Sequence, residues 1–328
     1  MPRLARRLAW LGLLLLLTLA SLGYAVISGS FDVDVAAAWQ ALFGQGDGGG
    51  ASVVRELRLP RALAGFVTGA LLALAGALMQ VLLRNPLADP YVLGISGGAA
   101  VAALIVMMLG LGGVWVGGGA FGGALFSMLL VFGLAHGRGS WSATRLLLTG
   151  VVVAAGWGAL ISFILAVGPE QSLRGMLFWL MGDLSYADTP RWAAVVLFVG
   201  LALGLVFARD LNLLARGEQQ AAALGVEVGR LRIGVYLLAS LLTASAVTLA
   251  GSVGFVGLIV PHLMRLLIGS DHRLLLPASA LFGGSLLVFA DTLARTIIAP
   301  QQLPVGVLSA LIGVPVFLFL LNRREARL

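Results

Sequence analysis

The chain has no cysteine and no lysine among its 328 residues, and only 14 acidic side chains. The missing thiols exclude disulfides, thiolate metal sites and cysteine nucleophiles. The missing lysine excludes a Walker A loop, whose lysine reaches the nucleotide phosphates. Any ATP hydrolysis linked to this chain must therefore reside on another one. Three histidines (His136, His262 and His272) and no cysteine supply a metal centre poorly, and none is expected. Charged residues make up 11% of the sequence, against roughly 25% in soluble domains.

What the chain has is apolar length. It is 60% hydrophobic, with a mean hydropathy of +1.03. The apolar stretches recur as runs of about 20 residues, the length that crosses a bilayer as a helix. They are continuous and do not alternate with period two, which excludes a membrane β-barrel. The expected fold class is an all-α polytopic membrane protein in which residues 1–328 form a single transmembrane domain. About ten spans are expected, at 8–27, 61–83, 91–109, 114–135, 144–167, 192–208, 233–249, 255–268, 276–290 and 305–321. The first run follows Arg3, Arg6 and Arg7 like a signal peptide, but it is long and lacks a small-x-small cleavage site, so it is read as a helix.

All 21 basic residues are arginines, and they fall between the apolar runs. The net charge of +7 therefore reads as a topology signal and not as a nucleic-acid surface. With the N-terminus in the cytoplasm, fifteen arginines fall on the inner side. Six fall outside: Arg55, Arg58, Arg61, Arg174, Arg191 and Arg295. This asymmetry places both termini inside and requires an even number of spans. Gly65-x-x-x-Gly69 and Gly118-x-x-x-Gly122 have the spacing that lets helix backbones approach closely. LALAG (72–76) and VTLAG (247–251) form a weak internal echo. The stretch 209–232 reads as two short helices broken at Gly217 and Gly225, with an alanine-rich face for a partner's groove and Glu218 and Glu227 in water. His262, after Pro261 at membrane depth, reads as part of a structural kink. Gly94-Ile95-Ser96-Gly97 matches a serine-nucleophile pattern, but Ser96 is better explained as a small residue at a helix start.

The string RLPRALAGFVTGALLALAGALMQVLLRNPLADPYVLGISGG (58–98) resembles the signature region of the FecCD-type permeases of ABC importers, which carry ferric siderophores, haem or vitamin B12. The resemblance continues through FWLMGDLS (178–185), GEQQAAALGV (217–226), GSVGFVGLIVPHLMRLLIGSDHRLLLP (251–277), ADTLAR (290–295) and LPVGVLSALIGVPVFLFLL (303–321). It implies a BtuC-like (type II ABC importer) fold and a homodimer with its path along the dimer interface. It also implies two separate ATPase subunits that hold the ATP, a periplasmic substrate-binding protein and a place in the bacterial inner membrane. No cofactor is implied on this chain. An iron–siderophore chelate is the first expected cargo, with cobalamin and haem as alternatives. An ion-coupled secondary transporter is the alternative of another class.

The resemblance also carries residues over. Arg58, Arg61 and Arg295 match the arginines that receive the binding protein; the local alternative for Arg295 is a pair with Asp291, four residues earlier on its own helix. On that reading, Arg58→Glu with Arg61→Glu abolishes uptake and leaves assembly intact. Gly217, Glu218, Ala221, Leu224 and Gly225 match the segment that couples to the ATPase. Asn85, Leu87, Ala143 and Thr144 match the cytoplasmic gate, where Ala143 replaces one member of a Ser/Thr pair.

Overall fold

The computed structural model describes residues 2–29, 33–42, 48–135, 142–185, 187 and 189–325, so His136 and Arg138 lie outside the described residues. The described chain is helical. The first helices are α1 (Pro2–Ile27), α2 (Val35–Leu42) and α3 (Gly49–Ser52), followed by a π-helical turn at Val53–Arg58. The turn runs straight into α4 (Leu59–Leu82). Next come a 3₁₀ turn (Pro90–Leu93), α5 (Ile95–Met108), α6 (Gly113–Ala135) and α7 (Ala143–Val167). The second half holds α8 (Glu170–Met181), α9 (Arg191–Val206), α10 (Ala208–Leu214), α11 (Glu218–Ala223), α12 (Val228–Ala250), α13 (Val256–Ile268), α14 (His272–Thr296) and α15 (Val305–Glu325).

Six helical runs are long and apolar enough to span a bilayer, and α9 with α10, bent by 64°, makes a seventh. With the shorter apolar helices α5, α13 and α15, the described residues supply about ten crossings at the expected places. The chain alternates between two faces. The near face is where α1 begins and α4 ends; the far face is where α1 ends and α4 begins. α8 was not expected. Its polar opening, Glu170-Gln171-Ser172, hides a 12-residue helix on the far face.

α4 is the centre of the bundle. Nearly all of its side chains from Arg61 to Leu82 are buried, and α1, α9, α12, α13 and α14 pack around it. Backbones touch at two crossings. A Cβ added to Gly69 would collide with the Gly283 carbonyl of α14, and one on Gly76 with the Gly257 carbonyl of α13. Pro261, four residues after Gly257, has no N–H to bond that carbonyl. α13 nevertheless continues through Pro261 to Ile268 with His262 buried, so the proline does not break the helix.

The small-residue pattern of α6 is shifted by one residue from expectation. Gly118 and Gly122 meet nothing within 4 Å, whereas Gly123 lies against the Gly98 carbonyl of α5 and Gly119 against Val106. The internal echo does not correspond in structure either. Gly76 lies inside α4, but Gly251 ends α12 at φ 64°.

Two breaks meet inside the bundle, and they explain why α5 and α13 are short. Pro90 packs on Gly257, which in turn lies against the Leu72 carbonyl midway along α4. The stretch before α5 and the stretch before α13 therefore reach one another at membrane depth. Irregular backbone is tolerated there only where its polar groups find partners. The Tyr91 hydroxyl accepts from the Val253 N–H at 3.1 Å, and the Ser309 hydroxyl donates to the Gly254 carbonyl at 3.1 Å. The Ser127 hydroxyl donates to the Gly94 carbonyl at 2.8 Å while accepting from Trp157 Nε1 at 2.9 Å.

Asp89 caps the 3₁₀ turn by accepting from the Tyr91 N–H at 2.8 Å.

Candidate docking, gate and coupling sites

On the far face, Arg61 opens α4 and Asp291 lies near the end of α14. Arg61 Nε and Nη2 clasp the Asp291 carboxylate at 2.8–3.1 Å. Arg61 Nη1 donates to Gln302 Oε1 at 2.7 Å. Arg295, one turn after Asp291, approaches the same carboxylate at 3.3 Å and donates to the Ala25 carbonyl at 3.0 Å. Arg58 donates to the Val26 carbonyl at 3.0 Å and also to that of Ile27. Thus Arg58 and Arg295 together cap the end of α1, where unsatisfied carbonyls carry partial negative charge.

Arg58, Arg61 and Arg295 are therefore brought together as expected, but they are buried, with relative exposures of 4%, 8% and 7%. Their hydrogen bonds lock α1, α4 and α14 at the far face. The expectation that charge reversal leaves assembly intact does not survive this geometry, because Arg61→Glu would place a second carboxylate against buried Asp291. The far-face arginines that are exposed are Arg174, over the Phe178 ring, and Arg191. Sequence reading placed both outside without giving them a role.

On the near face, the two expected gate segments converge. A cavity of about 410 Å³ is lined by Leu83, Arg84, Asn85, Ala143, Thr144 and Leu147. Asn85 Oδ1 accepts from the Leu87 N–H at 2.9 Å, which tightens the turn around Pro86, and Leu87 does not line the cavity. Arg84, just before this turn, takes a left-handed backbone at φ 48°. The hydroxyl that Ala143 lacks is present one residue earlier. The Ser142 side chain accepts from the Arg145 N–H at 3.1 Å and caps α7.

The coupling segment forms two short helices as expected. Gly217 at φ 133° precedes α11, and Gly225 at φ 84° follows it. Their partner-facing side differs from expectation in two residues. Ala221 is fully buried and anchors α11 inward, leaving Gln219, Gln220, Ala222, Ala223 and Leu224 exposed. Glu218 is not simply solvated. It pairs with Arg84 at 3.3 Å and with Arg232, in the first turns of α12. The helix that would meet a partner is thus bonded directly to the residue beside the gate turn. Among the described residues no group of three or more His, Cys, Asp or Glu side chains is arranged to hold a metal ion.

The described residues form an all-helical, multi-pass membrane protein with a cavity on the near face and a short-helix platform beside it. The FecCD transport family model matches residues 13–323, and the chain belongs to that family: it is a permease subunit of an ABC importer. It is 45% identical to the cobalamin import system permease protein BtuC of Halobacterium salinarum, over 84% of this chain and 74% of that one. It is 44% identical to the hemin transport system permease protein HmuU of Yersinia pestis, over 83% and 84%. Identity with the Fe(3+) dicitrate transport system permease protein FecD of Escherichia coli is 40%, over 95% and 99%. The fold matches a solved ABC transporter assigned to the metal-chelate type, in an inward-facing conformation. That match has a TM-score of 0.86 at 30% identity, covering 95% of this chain and 98% of the other.

Breaking a buried ion pair by removing one partner costs about 3–5 kcal/mol. Arg61→Glu should therefore lower the melting temperature and the yield of folded protein, and the double variant Arg61→Glu with Asp291→Arg should recover part of both. A single variant that melts like the wild type would contradict the lock.

Proposed function

We propose that two copies of this chain form the membrane path of an importer that carries a preassembled metal chelate across the inner membrane. The near face lies in the cytoplasm, where most of the arginines fall. A separate ATPase docks on α10 and α11, and a periplasmic binding protein delivers cargo at the far face. The observation that carries this reading is the continuous link from α11 through Glu218 and Arg84 to Asn85 at the gate cavity. A motion imposed on α11 from the cytoplasm acts through that ion pair on the turn that closes the path.

α7 supports a paired arrangement. It starts at the gate cavity and leaves Leu148, Val151, Val152, Leu160 and Phe163 exposed along its length. A second copy facing this side would enclose a wide apolar path. At the far face, the buried cluster of Arg58, Arg61, Arg295 and Asp291 keeps an excess of positive charge. Its contribution to docking an acidic binding protein is then through the field of the cluster and exposed Arg174 and Arg191, not through free guanidiniums at the three expected positions.

The relatives are named for cobalamin, hemin and ferric dicitrate, and a preassembled metal chelate is what these cargoes share. An iron–siderophore complex is the first candidate within that class. A proton- or sodium-driven carrier needs an available acid in the membrane; Asp291, buried in α14, is already held by two guanidiniums, and Asp89 is engaged as the cap of the 3₁₀ turn.

Proteoliposomes holding the permease, its ATPase and its binding protein should accumulate one of a ferric siderophore, haem or cobalamin only with ATP. Uptake driven by an ion gradient with the ATPase omitted would overturn the reading. In the same vesicles, Gly225→Leu should lower the chelate moved per ATP hydrolysed. A Cβ there meets nothing within 4 Å, so the effect would come from the left-handed backbone that a branched side chain resists. An unchanged ratio would count against coupling through this turn.

A further inference from the structure

A second near-face cavity, of about 630 Å³, lies under the end of α4 beside α10. Its floor is buried Gln80 and His272, and its rim carries Arg84, Arg216 and Arg265 against the single carboxylate of Asp271. That carboxylate is engaged within the chain. It caps α14 by accepting from the Arg273 N–H at 3.2 Å and also accepts from Asn212 Nδ2 at 3.0 Å. Asn212 Oδ1 in turn accepts from His272 Nδ1 at 2.6 Å, which assigns the ring proton to Nδ1. The other ring nitrogen, Nε2, is buried and has no hydrogen-bond partner among the described residues. With the ring proton on Nδ1, Nε2 carries a lone pair and can only accept, so it takes no part in holding an anion. The cavity thus presents three guanidiniums, of which Arg265 also donates to Gln80 Oε1 at 2.8 Å and Arg84 also pairs with Glu218, together with the N-terminus of the 25-residue helix α14. The set is built for negative charge.

Location decides which anion. The cavity sits at the end of α4, whose surrounding helices separate it from lipid, and its rim residues Ala215, Arg216 and Ser270 are exposed. Access is therefore from water on the face that carries α10 and α11, and a lipid headgroup arriving sideways is disfavoured. We propose that this cavity is a socket for a carboxylate side chain of the ATPase that docks on α10 and α11. The proposal rests on the ABC-importer reading above and reverses the direction of insertion: a side chain of the ATPase enters the permease. Arg84 is shared between socket, Glu218 and gate turn, so a carboxylate in the socket would draw on the same guanidinium that ties α11 to the gate.

The test uses the permease in nanodiscs and the ATPase subunit that co-purifies with it. Arg216→Glu should weaken ATPase binding about ten-fold and flatten its salt dependence. The chain has no cysteine, so Ala215→Cys supplies a unique cross-linking handle. It should trap single cysteines at one acidic patch of the ATPase, and an Asp→Arg or Glu→Arg change there should restore binding to Arg216→Glu. Wild-type affinity in Arg216→Glu, or cross-links scattered without an acidic site, would overturn the socket. Inorganic phosphate that stabilises the isolated wild-type permease but not Arg216→Glu would also overturn it, by showing a free-anion site. If no ATPase co-purifies with the wild type at all, the underlying reading fails instead.

Discussion

The structure depends on how closely other helices can approach α4. Lipid offers little hydrophobic force between helices, so packing must come from contact between backbones and from satisfied polar groups. Gly69 against Gly283 and Gly76 against Gly257 supply that contact at two levels of one rod. A side chain at either position would push α14 or α13 outward and open the centre of the bundle. With the rod fixed, its two ends become reference points. At the far end Arg61 and Arg295 meet on Asp291 while Arg295 and Arg58 hold the end of α1, and at the near end Glu218 joins α11 to Arg84 beyond α4 and to Arg232 of α12.

The same constraint shapes the interior breaks. A chain that must close every backbone hydrogen bond away from water can bend at membrane depth only where side chains substitute for the missing helical partners. Tyr91, Ser127, Trp157 and Ser309 do this for the stretches before α5 and α13. These two short helices pack beside the crossings of α4. The near-face cavity at Asn85 and Thr144 and the short helix α11 therefore lie at the edge of a closely packed centre.

Much of this was legible in the sequence, for definite reasons. Continuous apolar runs mark helices, and the arginines between them mark the two faces. The motif resemblance groups Asn85 with Thr144 although they lie far apart in the chain, and both line one near-face cavity. The misses have physical causes too. The pairing of Arg61 with Asp291 spans 230 residues, and no local pattern reveals it, so the burial of the three arginines that the resemblance assigns to docking is not legible in the sequence. Glycines adjoin one another at 118–119 and 122–123, which offers two helix faces of identical spacing, and only packing selects Gly119 and Gly123. Ala221 was read as partner-facing because alanine is indifferent to burial, whereas its neighbour Leu224, the more apolar residue, is the exposed one.

The central claim is that Glu218 and Arg84 transmit motion from α11 to the gate. The direct measurement is the number of chelate molecules moved per ATP hydrolysed in proteoliposomes, for Arg84→Glu alone and for Arg84→Glu combined with Glu218→Arg and Arg232→Glu, which inverts every charge of the cluster. The account predicts a lowered ratio in the single variant and substantial recovery when all three charges are exchanged. A single variant with the wild-type ratio, or an exchanged set no better than the single variant, would contradict it.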